Sequence, residues 1–96
     1  MQAAKAKGRH TPKEWQELKA FYGFRCVRCG IRELKGENIR NQIVLEKDHI
    51  VPVSQNGCNC IGNIQPLCQT CNNLKSTTSA DYRQEAKERW GLNGES

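Results

Sequence analysis

Long apolar runs are what this chain lacks most. No stretch of its 96 residues comes near the roughly 20 consecutive apolar positions that a membrane helix needs, and its first residues carry no short apolar region of the export-signal kind. A cytoplasmic protein that makes no membrane contact is therefore expected. Aromatic residues are scarce as well, with two Trp, two Tyr and two Phe. One small domain with a thin core follows, and such domains often draw stability from metals or disulfides. Acidic charge is the minority sign: ten Asp and Glu stand against fifteen Lys and Arg, for a net charge of +5. That balance favours an anionic partner and makes nucleic acid the first guess. There are no internal repeats and no low-complexity tract.

Cysteine is not scarce. Cys26-x-x-Cys29 and Cys68-x-x-Cys71 form two C-x2-C knuckles with residues 30–67 between them. Four thiolates in two such pairs are the usual tetrahedral set for structural Zn2+; the alternative is four reduced cysteines that merely pack. In a reducing compartment metal ligation is favoured over disulfides. Cys58 and Cys60 are spaced too tightly for an easy mutual bridge and lie in a turn-rich segment. They are expected to be incidental surface thiols, with auxiliary metal binding as the lesser reading.

The rest of the chain orders itself around these pairs. Residues 1–10 are basic and without periodicity, and are expected to form a flexible tail ahead of a domain over 11–96. Thr11, Pro12 and Glu14 carry the signature of a capped helix start; Trp15, Leu18 and Tyr22 make one apolar stripe, and Gly23 ends the helix. Residues 32–42 read as a polar loop. Ile43, Val44 and Leu45 predict a strand running to His49. Residues 54–63 are turn-rich. Pro66 predicts the first turn of a short helix over 66–76 that carries Cys68, Cys71, Asn72 and Lys75. Thr78 or Ser79 is expected to cap a last helix through about Arg89, closed by Gly91.

Asp48 and His49 sit at the end of that strand, where a carboxylate and an imidazole need partners. Asn63 follows His49 by fourteen residues and Asn72 follows Asn63 by nine. With DHIVP at 48–52, Asn63-Ile64-Gln65-Pro66-Leu67-Cys68, and Cys71-Asn72-Asn73-Leu74-Lys75, the sequence resembles the HNH endonucleases over roughly residues 22–76. Asn72 stands where many members have His, which makes this an HNN pattern. The resemblance implies a small α+β fold of the ββα-metal type, with a structural zinc site and flanking helices. It implies a metal-dependent DNA endonuclease that nicks with low sequence specificity, as in free-standing bacterial, phage or prophage proteins.

The same resemblance assigns roles. His49 would be the general base, since imidazole is the side chain suited to accepting a proton near neutral pH. Asp48 and Asn72 would be oxygen ligands to one Mg2+ or Mn2+ ion. Asn63 would hold the loop against the strand and orient His49. Lys75, at i+3 from Asn72, would meet a phosphate. DNA would be bound mainly through phosphates by a monomer or weak dimer, or within a larger restriction or packaging complex. Blander readings exist: Asp48 as the partner of a nearby lysine, His49 as a satisfied strand-end residue, and Asn63 as an ordinary turn residue. Their functional counterpart is a catalytically inactive zinc-ribbon module that only binds nucleic acid.

Overall fold

The computed structural model describes residues 8–92. The remainder of the expected tail, residues 1–7, lies outside the described residues, whereas Gly8–His10 rest against the segment around Cys58.

The first helix, α1, spans Pro12–Phe21. Thr11 and Glu14 form the expected reciprocal capping box: Thr11 Oγ1 accepts from Glu14 N at 3.0 Å, and Glu14 Oε1 accepts from Thr11 N at 2.8 Å. Gly23, at φ +67°, takes the left-handed conformation that ends it. Trp15 and Tyr22 are buried, as the apolar stripe predicts. Lys19 is buried too, which the stripe does not predict. Its ammonium pairs with Glu33 at 3.1 Å and lies over the Trp15 and Phe24 rings.

Two short strands form the sheet. β1 is Glu46–His49 and β2 is Ile64–Leu67, antiparallel, with Glu46 opposite Leu67 and His49 opposite Ile64. β1 is shorter than the apolar run predicts. Ile43 instead bridges Leu34, and Leu45 gives its N–H to the Glu33 carboxylate at 2.9 Å, so neither joins the β1–β2 ladder. β2 replaces the expected first turn of helix. All four of its residues are buried, and the Pro66 carbonyl accepts from Val27 N at 3.0 Å on the side away from β1. Proline is tolerated because a strand in a two-stranded sheet needs pairing along one side only.

Helix α2 therefore begins later, at Gln69, and runs to Lys75 with Cys68 as its N-cap. Helix α3, Arg83–Trp90, also starts later than the Thr78 or Ser79 cap predicts. Asp81 supplies the local acceptor, taking hydrogen bonds from Arg83 N and from its guanidinium. Gly91 closes α3 at φ +67°, as predicted. The order β1, β2, α2, with α1 and α3 flanking, is a small α+β architecture of the ββα-metal type. Its core joins Tyr22, Val27, Leu45, Leu67 and Ala86 to three of the knuckle cysteines. Among the described residues no helix is long and apolar enough to cross a membrane.

Candidate active site

Cys26, Cys29, Cys68 and Cys71 converge, with all four sulfurs within 4.8 Å of one another. Cys29 Sγ and Cys68 Sγ are 3.7 Å apart. Tetrahedral zinc at its usual Zn–S bond length sets sulfurs about 3.8 Å apart, so the cluster is close in size to what such an ion needs. Its electrostatics fit as well. Burial pushes the Cys68 thiol up to about 12, and burial raises Cys71 despite the Arg28 guanidinium beside it. Burial opposes ionisation of Cys26 too, yet backbone N–H groups of Cys29, Cys68 and Arg28 bring it below the usual thiol value. Packed thiols that resist losing protons together are what a bound divalent cation resolves. Arg28 Nη1 additionally donates to Cys71 Sγ at 3.5 Å.

Cys58 and Cys60 are not free surface thiols: the structure joins them in a disulfide. Their Cα atoms are 5.3 Å apart, inside the range a bridge accepts, although only one residue separates them. The loop is compact enough to allow this. Gly57 packs so closely on Val51 that a Cβ there would overlap the Val51 carbonyl oxygen.

Asn63 fastens this loop to the end of β1. Its Oδ1 accepts from Val51 N at 3.0 Å, while Nδ2 donates to Val51 O at 3.0 Å and to Cys58 O at 2.7 Å. One amide thus serves both backbone groups of Val51 as a neighbouring strand would. Its backbone joins in, with Asn63 O accepting from Ile50 N and Asn63 N donating to Cys60 O.

Asp48 and His49 leave β1 in different directions. His49 turns toward the loop, where its Nε2 lies 2.8 Å from Asn59 Oδ1. Asp48 is buried against its cross-strand partner Gln65, whose Nε2 donates to Asp48 Oδ2 at 2.8 Å. Gln65 also holds Ala80 O and Tyr82 N, which ties the sheet to the approach of α3. The ammonium of Lys75 sits 3.2 Å from Asp48 Oδ2 and donates to His49 O at 3.1 Å. This corrects the expectation that Lys75 meets a phosphate, since at 3% exposure it faces inward. The lysine pairing weighed for Asp48 is therefore real.

Asn72 does leave α2 toward β1, while its neighbour Cys71 faces the sulfur cluster. Asn72 Nδ2 donates to Glu46 Oε1 at 2.7 Å. Glu46 and Asp48 occupy alternate positions of β1 and share a face, as Asn72 and Lys75 do one turn apart on α2. Two pairs, Asn72 with Glu46 and Lys75 with Asp48, close the strand–helix junction. Asp48 Oδ1 and Asn72 Oδ1 have no hydrogen-bond partner among the described residues. These are hard oxygen donors of the kind Mg2+ or Mn2+ accepts, so the donor chemistry fits such an ion.

Sequence reasoning missed Asn59, Glu46 and Lys47. Alternation along β1 could have marked the last two, because Glu46 shares the face of Asp48 and Lys47 that of His49. Lys47 is exposed, its ammonium 5.8 Å from the Trp15 ring centroid. Nothing local marks Asn59.

A family model described as HNH endonuclease matches residues 26–78, more than half of the chain. No curated protein and no solved structure matched the chain.

Proposed function

The chain belongs to the HNH endonuclease family, and from that premise we propose that it is a metal-dependent DNA endonuclease with His49 as its general base. Family membership makes it a hydrolase of the nuclease type that engages nucleic acid. The observation that carries the finer reading is the junction of β1 with α2: Asp48 and His49 end the strand, and Asn72 reaches it from a helix anchored in the cysteine cluster. Asp48 and Asn72 would hold one Mg2+ or Mn2+ ion, which supplies positive charge for the phosphate oxygens as they gain negative charge.

The chain's own residues do the remaining work. His49 takes a proton from the attacking water, whose oxygen bonds to phosphorus as the bond to the leaving oxygen breaks. Lys47, exposed and on the same face of β1 as His49, is the cation available to a DNA phosphate. Asn63 keeps the loop closed against the strand that carries the base. Cys26, Cys29, Cys68 and Cys71 would hold a structural zinc apart from the chemistry. One such site cuts one strand, so nicking is the expected outcome.

A second reading, a zinc-framed module that binds nucleic acid without cutting it, draws on the Lys75–Asp48 ion pair, which gives Asp48 a structural partner. Supercoiled plasmid incubated with Mg2+ or Mn2+, with and without chelator, separates the two. The nuclease reading expects chelator-sensitive nicking, and His49→Ala should slow it by at least about a hundredfold while DNA binding persists. DNA binding with no cutting under any divalent ion would favour the second reading.

A further inference from the structure

We infer that Asn59 is the positioning residue for His49, fixing the imidazole as its Nε2–H tautomer so that Nδ1 is left to accept a proton. The inference rests on the proposed role of His49 but is argued from the loop. Asn59 Oδ1 lies 2.8 Å from His49 Nε2. An amide oxygen only accepts, so the ring must donate from Nε2, and its Nδ1 has no partner among the described residues.

A residue can hold a ring only if it is itself held. Asn59 is the residue enclosed by the Cys58–Cys60 disulfide. On either side, Asn63 fixes the neighbouring carbonyls, with Nδ2 on Cys58 O at 2.7 Å and N on Cys60 O at 2.9 Å. Its own carbonyl accepts from His10 Nδ1 at 2.7 Å. Gly8 packs over the bridge, where a Cβ would come within 2.9 Å of Cys58 Sγ. Asn63 therefore reaches the base indirectly: it fixes the loop, and the loop presents Asn59.

The arrangement carries its own spectroscopic signature. A carbonyl oxygen also only accepts, so His10 must be the Nδ1–H tautomer, opposite to His49. These are the chain's two histidines. Long-range proton–nitrogen NMR spectra of histidine-labelled protein should show one ring of each kind, and His10→Gln should remove the Nδ1–H set. In Asn59→Leu, which keeps the volume and loses the acceptor, the His49 ring should become a tautomer mixture. In the same variant kcat for plasmid nicking should fall on the order of tenfold to a hundredfold with KM nearly unchanged. Asn59→Asp, which keeps an acceptor, should restore much of the loss.

An Nδ1–H tautomer at His49 in the parent protein, with the Asn59 amide reversed, would overturn the inference before any variant is made. Parental kcat in Asn59→Leu would overturn it too, as would a loss of kcat with the tautomer unchanged. A parent that shows the Nε2–H ring but nicks no DNA with any divalent ion would instead defeat the nuclease reading, leaving the hydrogen bond standing.

Discussion

Lys75 Nζ lies 3.2 Å from Asp48 Oδ2, and the side chains of both residues are almost wholly shielded from solvent. The pair joins the helix that carries Asn72 to the strand that carries His49, and the ammonium also donates to the His49 carbonyl. Breaking a buried pair from one side is costly because the other charge stays behind. Lys75→Met should therefore destabilise the fold by about 3–5 kcal/mol in denaturant titrations. Asp48→Asn placed on top of it should recover part of that loss. Full stability in Lys75→Met would mean that the ammonium and the carboxylate are not in fact paired.

The sulfur cluster predicts about one zinc per chain that resists a chelator strong enough to strip Mg2+. Cys71→Ser should release the zinc and unfold the domain, since a chain with so thin a core depends on its metal. Elemental analysis and circular dichroism check both halves. Purified protein free of zinc yet fully folded would remove the structural metal from the account.

Asn72 offers an amide oxygen where many relatives of the pattern have imidazole. The parent should nick with Mg2+ or Mn2+ and poorly with Ni2+. Asn72→His should shift activity toward Ni2+ and Co2+, because imidazole suits those ions better. Nicking rates across the metals, for both proteins, provide the comparison. An unchanged profile would show that Asn72 serves only to bond Glu46.

Glu33 carries the pH prediction. Burial would raise its carboxyl, but the Leu45 N–H and the Lys19 ammonium more than offset this and hold it below the ordinary glutamate value. A folded-state pKa below the unfolded one means that the stability it contributes is present above the unfolded value and lost as pH falls through the folded one. Glu33→Gln should cost about 3 kcal/mol near neutrality, since Lys19 is left buried and unpaired. The gap between the parent and Glu33→Gln should then shrink as pH falls from neutrality through the ordinary glutamate value and below it. Protonation of other groups acts on both proteins alike, so the difference between them is the quantity to measure. A gap that stays constant across that range would dismiss the linkage.

Lys47 is the cation proposed to meet DNA. Lys47→Ala should weaken binding evenly across sequences and lower the slope of log affinity against log salt by about 1. Lys75→Gln, assayed under conditions where it stays folded, should leave that slope unchanged, because the ammonium it removes is shielded from solvent. A reversed ranking would return the phosphate contact to Lys75.

What could be read in the sequence was whatever a short window encodes. The capping box needs only Thr11 to Glu14, and the knuckles announce themselves by spacing. The Asp48, His49, Asn63 and Asn72 series led to the family for the same reason. What escaped was decided at long range. Pro66 carries the signal of a helix start, but its strand is fixed by Lys47 on one side and Val27 on the other. Leu45 is strand-like in composition, yet its N–H is taken by Glu33 twelve residues earlier. The bridge between Cys58 and Cys60 depends on a loop that Asn63 closes from outside it. Lys75 reads as a surface lysine until the strand arrives beside it.

Cys68 caps α2, accepting from Cys71 N, while its sulfur also belongs to the four-cysteine cluster. Asn72 and Lys75 follow on the same short helix, at most two turns from that anchor. Adding one residue between Cys71 and Asn72 would therefore leave the composition of both sites intact and still disable the protein. Each residue turns a helix by about 100°, which would carry the amide and the ammonium off the face that meets Glu46 and Asp48. The helix works like a key whose bow is gripped by the cysteine cluster: the teeth meet their wards only at one angle. Length between the second knuckle and Lys75 should tolerate far less change than the loop ahead of it.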